Sequence, residues 1–165
     1  MKKVYNMQYK NILSAVVRRC AGTAICVFLT LGAGSAMAQS GVVVHGNVFG
    51  GGNEAAVSGN TTVLMQGTNP VVMTDVYGGG AKATVGTLSG TTTTTVTVLG
   101  GTVERDVYGG GLGTSTIEAT VNSAVQVNIG QNDNGTISGN ATLKGNVFGC
   151  NNVKGSPKKT VNVDI

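Results

Sequence analysis

One hexapeptide is written four times along this chain: NVFGGG at 47–52, DVYGGG at 75–80 and again at 106–111, and NVFGCN at 146–151. An acid or amide, a valine, an aromatic and glycine recur in that order. Aligned on Val48, Val76, Val107 and Val147, the copies lie 28, 31 and 40 residues apart. Such a period marks a repeat architecture, in which each unit buries its apolar face only by stacking on its neighbours.

The likeness extends beyond the hexapeptide. VVHGNV (43–48), VVMTDV (71–76), TVERDV (102–107) and TLKGNV (142–147) lead into it, and EAAV (54–57), KATV (82–85) and EATV (118–121) follow. A third element comes after these: TVLMQG (62–67), TVTVLG (95–100), AVQVNIG (124–130) and TVNVDI (160–165). All are short, β-branched and bounded by Gly, Asn or Ser, which reads as strands. The third element alternates. Val63 and Met65, Val96 and Val98, Val125 and Val127, and Val161 and Val163 face one way, with Leu64, Thr97, Gln126 and Asn162 facing the other. No helical period competes after Ala38.

Three segments per unit in fixed order predict an all-β fold, a parallel β-solenoid of three to four coils with about three strands per coil. Strands of successive coils then lie ~4.7–4.9 Å apart and equivalent residues form ladders. Val48, Val76, Val107 and Val147 are assigned to the core. Asn47, Asp75, Asp106 and Asn146 are short polar groups that bond backbone where the coil turns. The glycines supply either a positive φ or room where a Cβ has none. The four aromatics of residues 39–165, Phe49, Tyr77, Tyr108 and Phe148, all occupy one motif position, so their rings are expected to stack at ~4.5–7 Å. A β-sandwich is the competing fold, but it requires neither three segment types in order nor aromatics in one phase. The unequal spacings place insertions at Leu112–Ile117 and Gln131–Asn140, in loops that a solenoid tolerates.

The start of the chain has a different character. Lys2, Lys3, Lys10, Arg18 and Arg19 precede the apolar run AICVFLTL (24–31) and the small-x-small triplet Ala36-Met37-Ala38, the order of a secretory signal peptide cleaved after residue 38. The leader holds five of the eleven Lys and Arg residues. Residues 39–165 therefore carry six cations against seven acids, net −1. With no basic face there is no case for nucleic acid as a partner. Cys20 and Cys26 fall within the leader, which leaves Cys150 as a small residue in place of a repeat glycine and without a disulfide partner.

The [ND]-V-[FY]-G-G-G units behind a signal peptide resemble those of large, repetitive, adhesin-like surface proteins of Gram-negative bacteria, over about residues 41–165. The resemblance implies export to the outer surface, the medium or the periplasm, and a structural or adhesive role. It supplies no catalytic residues. Cys150-Asn151 departs from the glycine pattern, so that corner is expected to differ.

A secreted polysaccharide lyase or hydrolase of β-helix type, the alternative function, needs clustered carboxylates and a placed base. The single histidine of residues 39–165, His45, aligns with Met73, Glu104 and Lys144, so its position accepts any character and is expected to be exposed. Arg105 aligns with Gly46, Thr74 and Gly145. Glu104-Arg105-Asp106 reads as a solvated local pair. The Asp of nonapeptide calcium repeats is missing from GGGNEAAVS, and no nucleotide loop completes. Thr93, Thr95 and Thr97 share a face, but Leu64 and Gln126 are expected where a threonine array would continue. These readings predict no enzyme, no cofactor and no metal. They predict polar ladders presented to a glycan, a protein or another copy. The uncovered final strand, with slight protection from Lys158 and Lys159, stops one residue before the expected turn glycine, so the repeat domain of residues 39–165 is expected to be either an incomplete part of a longer repeat protein or a subunit that self-associates through that edge.

Overall fold

The computed structural model describes residues 41–132, 134–137 and 139–165; the expected signal peptide, with Cys20 and Cys26, lies outside them. The chain winds through four coils. The first carries β1 (Val43–Val44), β2 (Val48–Phe49) and β3 (Thr61–Met65). The second carries β4 (Val71–Val72), β5 (Val76–Tyr77) and β6 (Thr93–Val98). The third carries β7 (Gly101–Val103), β8 (Val107–Tyr108) and β9 (Ala124–Ile129), and the fourth β10 (Ala141–Leu143), β11 (Val147–Phe148) and β12 (Val161–Asp164). Equivalent strands pair in parallel into three four-stranded sheets, β1-β4-β7-β10, β2-β5-β8-β11 and β3-β6-β9-β12. This is a parallel β-solenoid.

Valine dominates because a strand covered on both sides along the axis still needs a compact, branched side chain facing inward. Val76, Val96, Val98, Val103, Val107, Val121 and Val127 are at most 1 % exposed, and Val63, Met65, Val72, Val125 and Ile129 complete the cluster. Val48 and Val147, on the outer coils, pack against it less completely. Two threonines also face inward. The Thr61 hydroxyl donates to the Gly78 carbonyl at 3.0 Å and lies 3.2 Å from that of Thr94, so neither buried polar group is stranded.

The strands are apportioned differently from the three expected segments. The lead-in and hexapeptide, read as one segment, break at a bend through His45, Gly46 and Asn47 into two strands. EAAV, KATV and EATV contribute one bridge residue each, in the column Val57, Val85, Val121 and Pro157. The β6–β9 register is also shifted by two residues: Val96 pairs with Val127, Thr97 with Asn128 and Val98 with Ile129. The shift extends the pairing to six residues and adds Ile129 to the core. It preserves parity, so Val125 still points inward, opposite Thr94. Gly130 accordingly lies beside Leu99 and is not the equivalent of Gly100; its N–H bonds the Val98 carbonyl. Besides the expected excursions near 112–117 and 131–140, a third leaves the second coil between Val85 and Thr93, over residues 86–92.

The hexapeptide glycines answer the choice posed by the sequence. None of Gly50–52, Gly78–80 or Gly109–111 has a positive φ. The restriction is clearance between coils. A Cβ on Gly51 meets the Gly80 nitrogen at 2.7 Å, one on Gly79 the Gly111 nitrogen at 2.7 Å, and one on Gly110 the Asn151 nitrogen at 2.7 Å.

Candidate functional site

The hexapeptide corner is built from two ladders side by side. In the first, the Asn47 Oδ1 accepts the Asp75 N–H at 3.1 Å, the Asp75 Oδ1 accepts the Asp106 N–H at 3.1 Å, and the Asp106 Oδ1 accepts the Asn146 N–H at 2.8 Å. Each side chain satisfies a backbone donor on the next coil. Acid and amide alternate freely because both carry the oxygen that the ladder uses. The Asn146 N–H, more than any other influence, holds the Asp106 carboxyl below its ordinary value.

The second ladder is a column of rings. Phe49, Tyr77, Tyr108 and Phe148 stack with centroids 4.8, 5.0 and 4.9 Å apart and planes within 14° of parallel. Tyr77 is fully buried, whereas Phe148 is 36 % exposed at the end of the column. Each phenol donates to the acid two residues before it, Tyr77 to Asp75 at 3.4 Å and Tyr108 to Asp106 at 3.2 Å. Burial, then the Asp106 bond and charge, push the Tyr108 phenol up to about 12. Burial also raises Tyr77, against a 2.8 Å bond donated by the Asn152 amide.

The charged groups tie coils together and do not converge. Lys82 reaches Glu54 at 2.9 Å and Lys144 reaches Glu104 at 2.8 Å. Arg105 lies 3.7 Å from Asp75, so the Glu104-Arg105-Asp106 cluster, expected to pair locally, sends its pairs to adjacent coils. His45, Met73 and Lys144 are exposed and Glu104 is half-buried. Both lysines depart from expectation: the Lys159 ammonium turns to the Gly90 and Thr87 carbonyls in the 86–92 excursion, and that of Lys158 bonds the Ser156 hydroxyl at 3.0 Å. Among the described residues, no three His, Cys, Asp or Glu side chains gather closely enough to hold a metal. A recess of about 280 Å³ at the first-coil end of the core is lined by Val44, Val48, Val63, Met65, Val72 and neighbours, without an acid or base.

The outer face of the third sheet is polar. Gln126 donates to Asn128 at 2.6 Å and to Asp164 at 2.7 Å, and Asn128 donates to Thr97 at 3.3 Å. The threonine file grades from Thr93, exposed, to Thr97, buried, and Thr97 is flanked by Leu64 and Asn128 where Gln126 was expected. Comparison with protein-family models, with curated proteins and with solved structures returns no match.

Proposed function

We propose that this chain is an exported structural or adhesive repeat protein of a Gram-negative cell surface, whose outer polar ladders present a regular binding face to a glycan or a protein. The observation that carries the reading is the use made of its ionisable side chains. Asp75, Asp106, Glu54, Lys82, Glu104, Arg105 and Lys144 are engaged in joining one coil to the next. Groups employed in this way build a stiff, periodic surface: even the neighbouring Asp75 and Asp106 carboxylates each accept a backbone N–H of the next coil and the phenol two residues on, which engages both in the ladder. The outward alternate positions of the third sheet, exposed at Leu64 and Asn162 and half-buried at Gln126, supply repeated contacts of the kind that gain strength through multivalency.

The reading is tested in two arms. Intact-mass measurement of material recovered from the cell exterior should show loss of residues 1–38, and the purified chain should bind a subset of a glycan or matrix-protein array without altering it. Reproducible polysaccharide cleavage, with or without calcium, that disappears in Glu104→Gln or Asp106→Asn would replace this reading with the carbohydrate-active one.

A further inference from the structure

The fourth coil breaks the glycine rule at two neighbouring places, Cys150 and Asn151, and the geometry of the three coils before it says what the first of these breaks does. At the middle position of the hexapeptide glycines, the Cβ direction runs along the solenoid axis. On Gly51, Gly79 and Gly110 a built Cβ strikes the backbone nitrogen of the next coil's sixth motif residue, Gly80, Gly111 or Asn151, at 2.7 Å in every case, a separation that real Cβ atoms do not show. The fourth occupant of this position is Cys150. Its carbonyl accepts the Gly110 N–H at 3.1 Å, so it stacks in phase with the column, and its side chain is exposed. Its neighbour Gly149 stays glycine for a different reason: a Cβ there meets Val161 Cγ1 of its own coil at 2.3 Å. Clearance within the coil is kept, and clearance toward a further coil is given up.

We infer that Cys150 is a steric stop, which prevents a second copy of this chain from stacking its first coil in register on the fourth. Without it the two faces match. Phe148 would meet Phe49 in the ring column, and the Asn146 Oδ1 would face the Asn47 N–H. Three residues before each member of the bridge column stand Glu54, Lys82, Glu118 and Lys154, so Lys154 would meet Glu54 of the incoming copy and continue the alternation of charge. Such a head-to-tail contact does not close on itself and grows into a filament. The expectation of self-association through the last strand therefore narrows: the β12 edge is exposed along its length, but regular addition is blocked at the corner.

Sedimentation velocity of the purified full chain under reducing conditions tests this. Wild type and Cys150→Ser, which keeps the Cβ and removes the thiol, should give the same mass distribution. Cys150→Gly should associate about tenfold or more tightly, the scale set by relieving one overpacked contact, and adding Lys154→Glu should reverse much of that gain. The reciprocal variant, Gly110→Cys, should loosen the fourth coil and speed hydrogen exchange at β11 and β12. A folded Cys150→Gly chain that sediments as wild type does at every concentration would overturn the inference. So would wild type assembling as strongly as the glycine variant, or Gly110→Cys leaving β11 and β12 fully protected.

Discussion

Among the glycines without a positive φ, contact geometry separates those that face open space from those that face a neighbouring coil. Gly46 and Gly59 face open space, whereas Gly79 and Gly110 face the backbone of the next coil. Gly79→Ala or Gly110→Ala should therefore cost about 1–3 kcal/mol through overpacking. Gly46→Ala and Gly59→Ala should be neutral or stabilising by up to about 1 kcal/mol, since they narrow the unfolded ensemble. Urea melts rank the two pairs, and equal losses would defeat the clearance argument. The acid of the corner makes a second prediction. Because the folded-state pKa of Asp106 is depressed, its contribution is present above the unfolded value and lost as pH falls below about 4. Asp106→Asn keeps the acceptor oxygen, so it should change the neutral-pH melt little while flattening the acid limb. Asp106→Ala, which leaves the exposed Asn146 N–H to water, should lose about 0.5–1.5 kcal/mol.

At the scale of strands and ladders, the ring column gives the complementary alkaline behaviour. The folded Tyr108 value, about 12, lies above the ordinary phenol value of 10.0. Its stabilisation is complete below pH 10 and is lost as pH rises from there through about 12. Tyr108→Phe should remove that part of the alkaline limb, and a difference absorbance titration against the variant should place the missing phenolate near pH 12. Much of this level was legible beforehand, because Val48, Val76, Val107, Val147 and the four aromatics repeat in one phase and a ladder requires that constancy. Register was harder to read. TVTV and AVQV align best by letter, but the chain chooses the two-residue shift that adds Ile129 to the core, and parity makes the options nearly equivalent as text. The 86–92 excursion was hidden for a related reason: its threonines read on smoothly into β6. Inter-coil ion pairs such as Arg105 with Asp75 were illegible, since they depend on which exposed side chains become axial neighbours. Cys150 was visible as an exception, but its meaning required the Cβ direction that only the coils supply.

For the whole molecule, the coils differ in how well they are held. The second and third are covered on both sides, whereas every residue of β12 is exposed and β1 and β2 are half covered at best. Stability should therefore grade from the ends toward the middle, as in other stacks where each unit touches only its neighbours. The direction of the strand hydrogen bonds adds a mechanical consequence. They run along the stacking axis, so tension applied between the two ends loads one coil interface at a time, in the manner of a peeling seam. Ladder partners are separated by 28, 31 and 40 residues, and each released coil should pay out roughly 90, 100 and 130 Å of extended chain at ~3.3–3.6 Å per residue, less the axial rise. Single-molecule stretching should record a sawtooth with those unequal teeth, and one all-or-none rupture would show that the coils fail together. A chain that yields in this stepwise fashion absorbs tension as extension before it lets go.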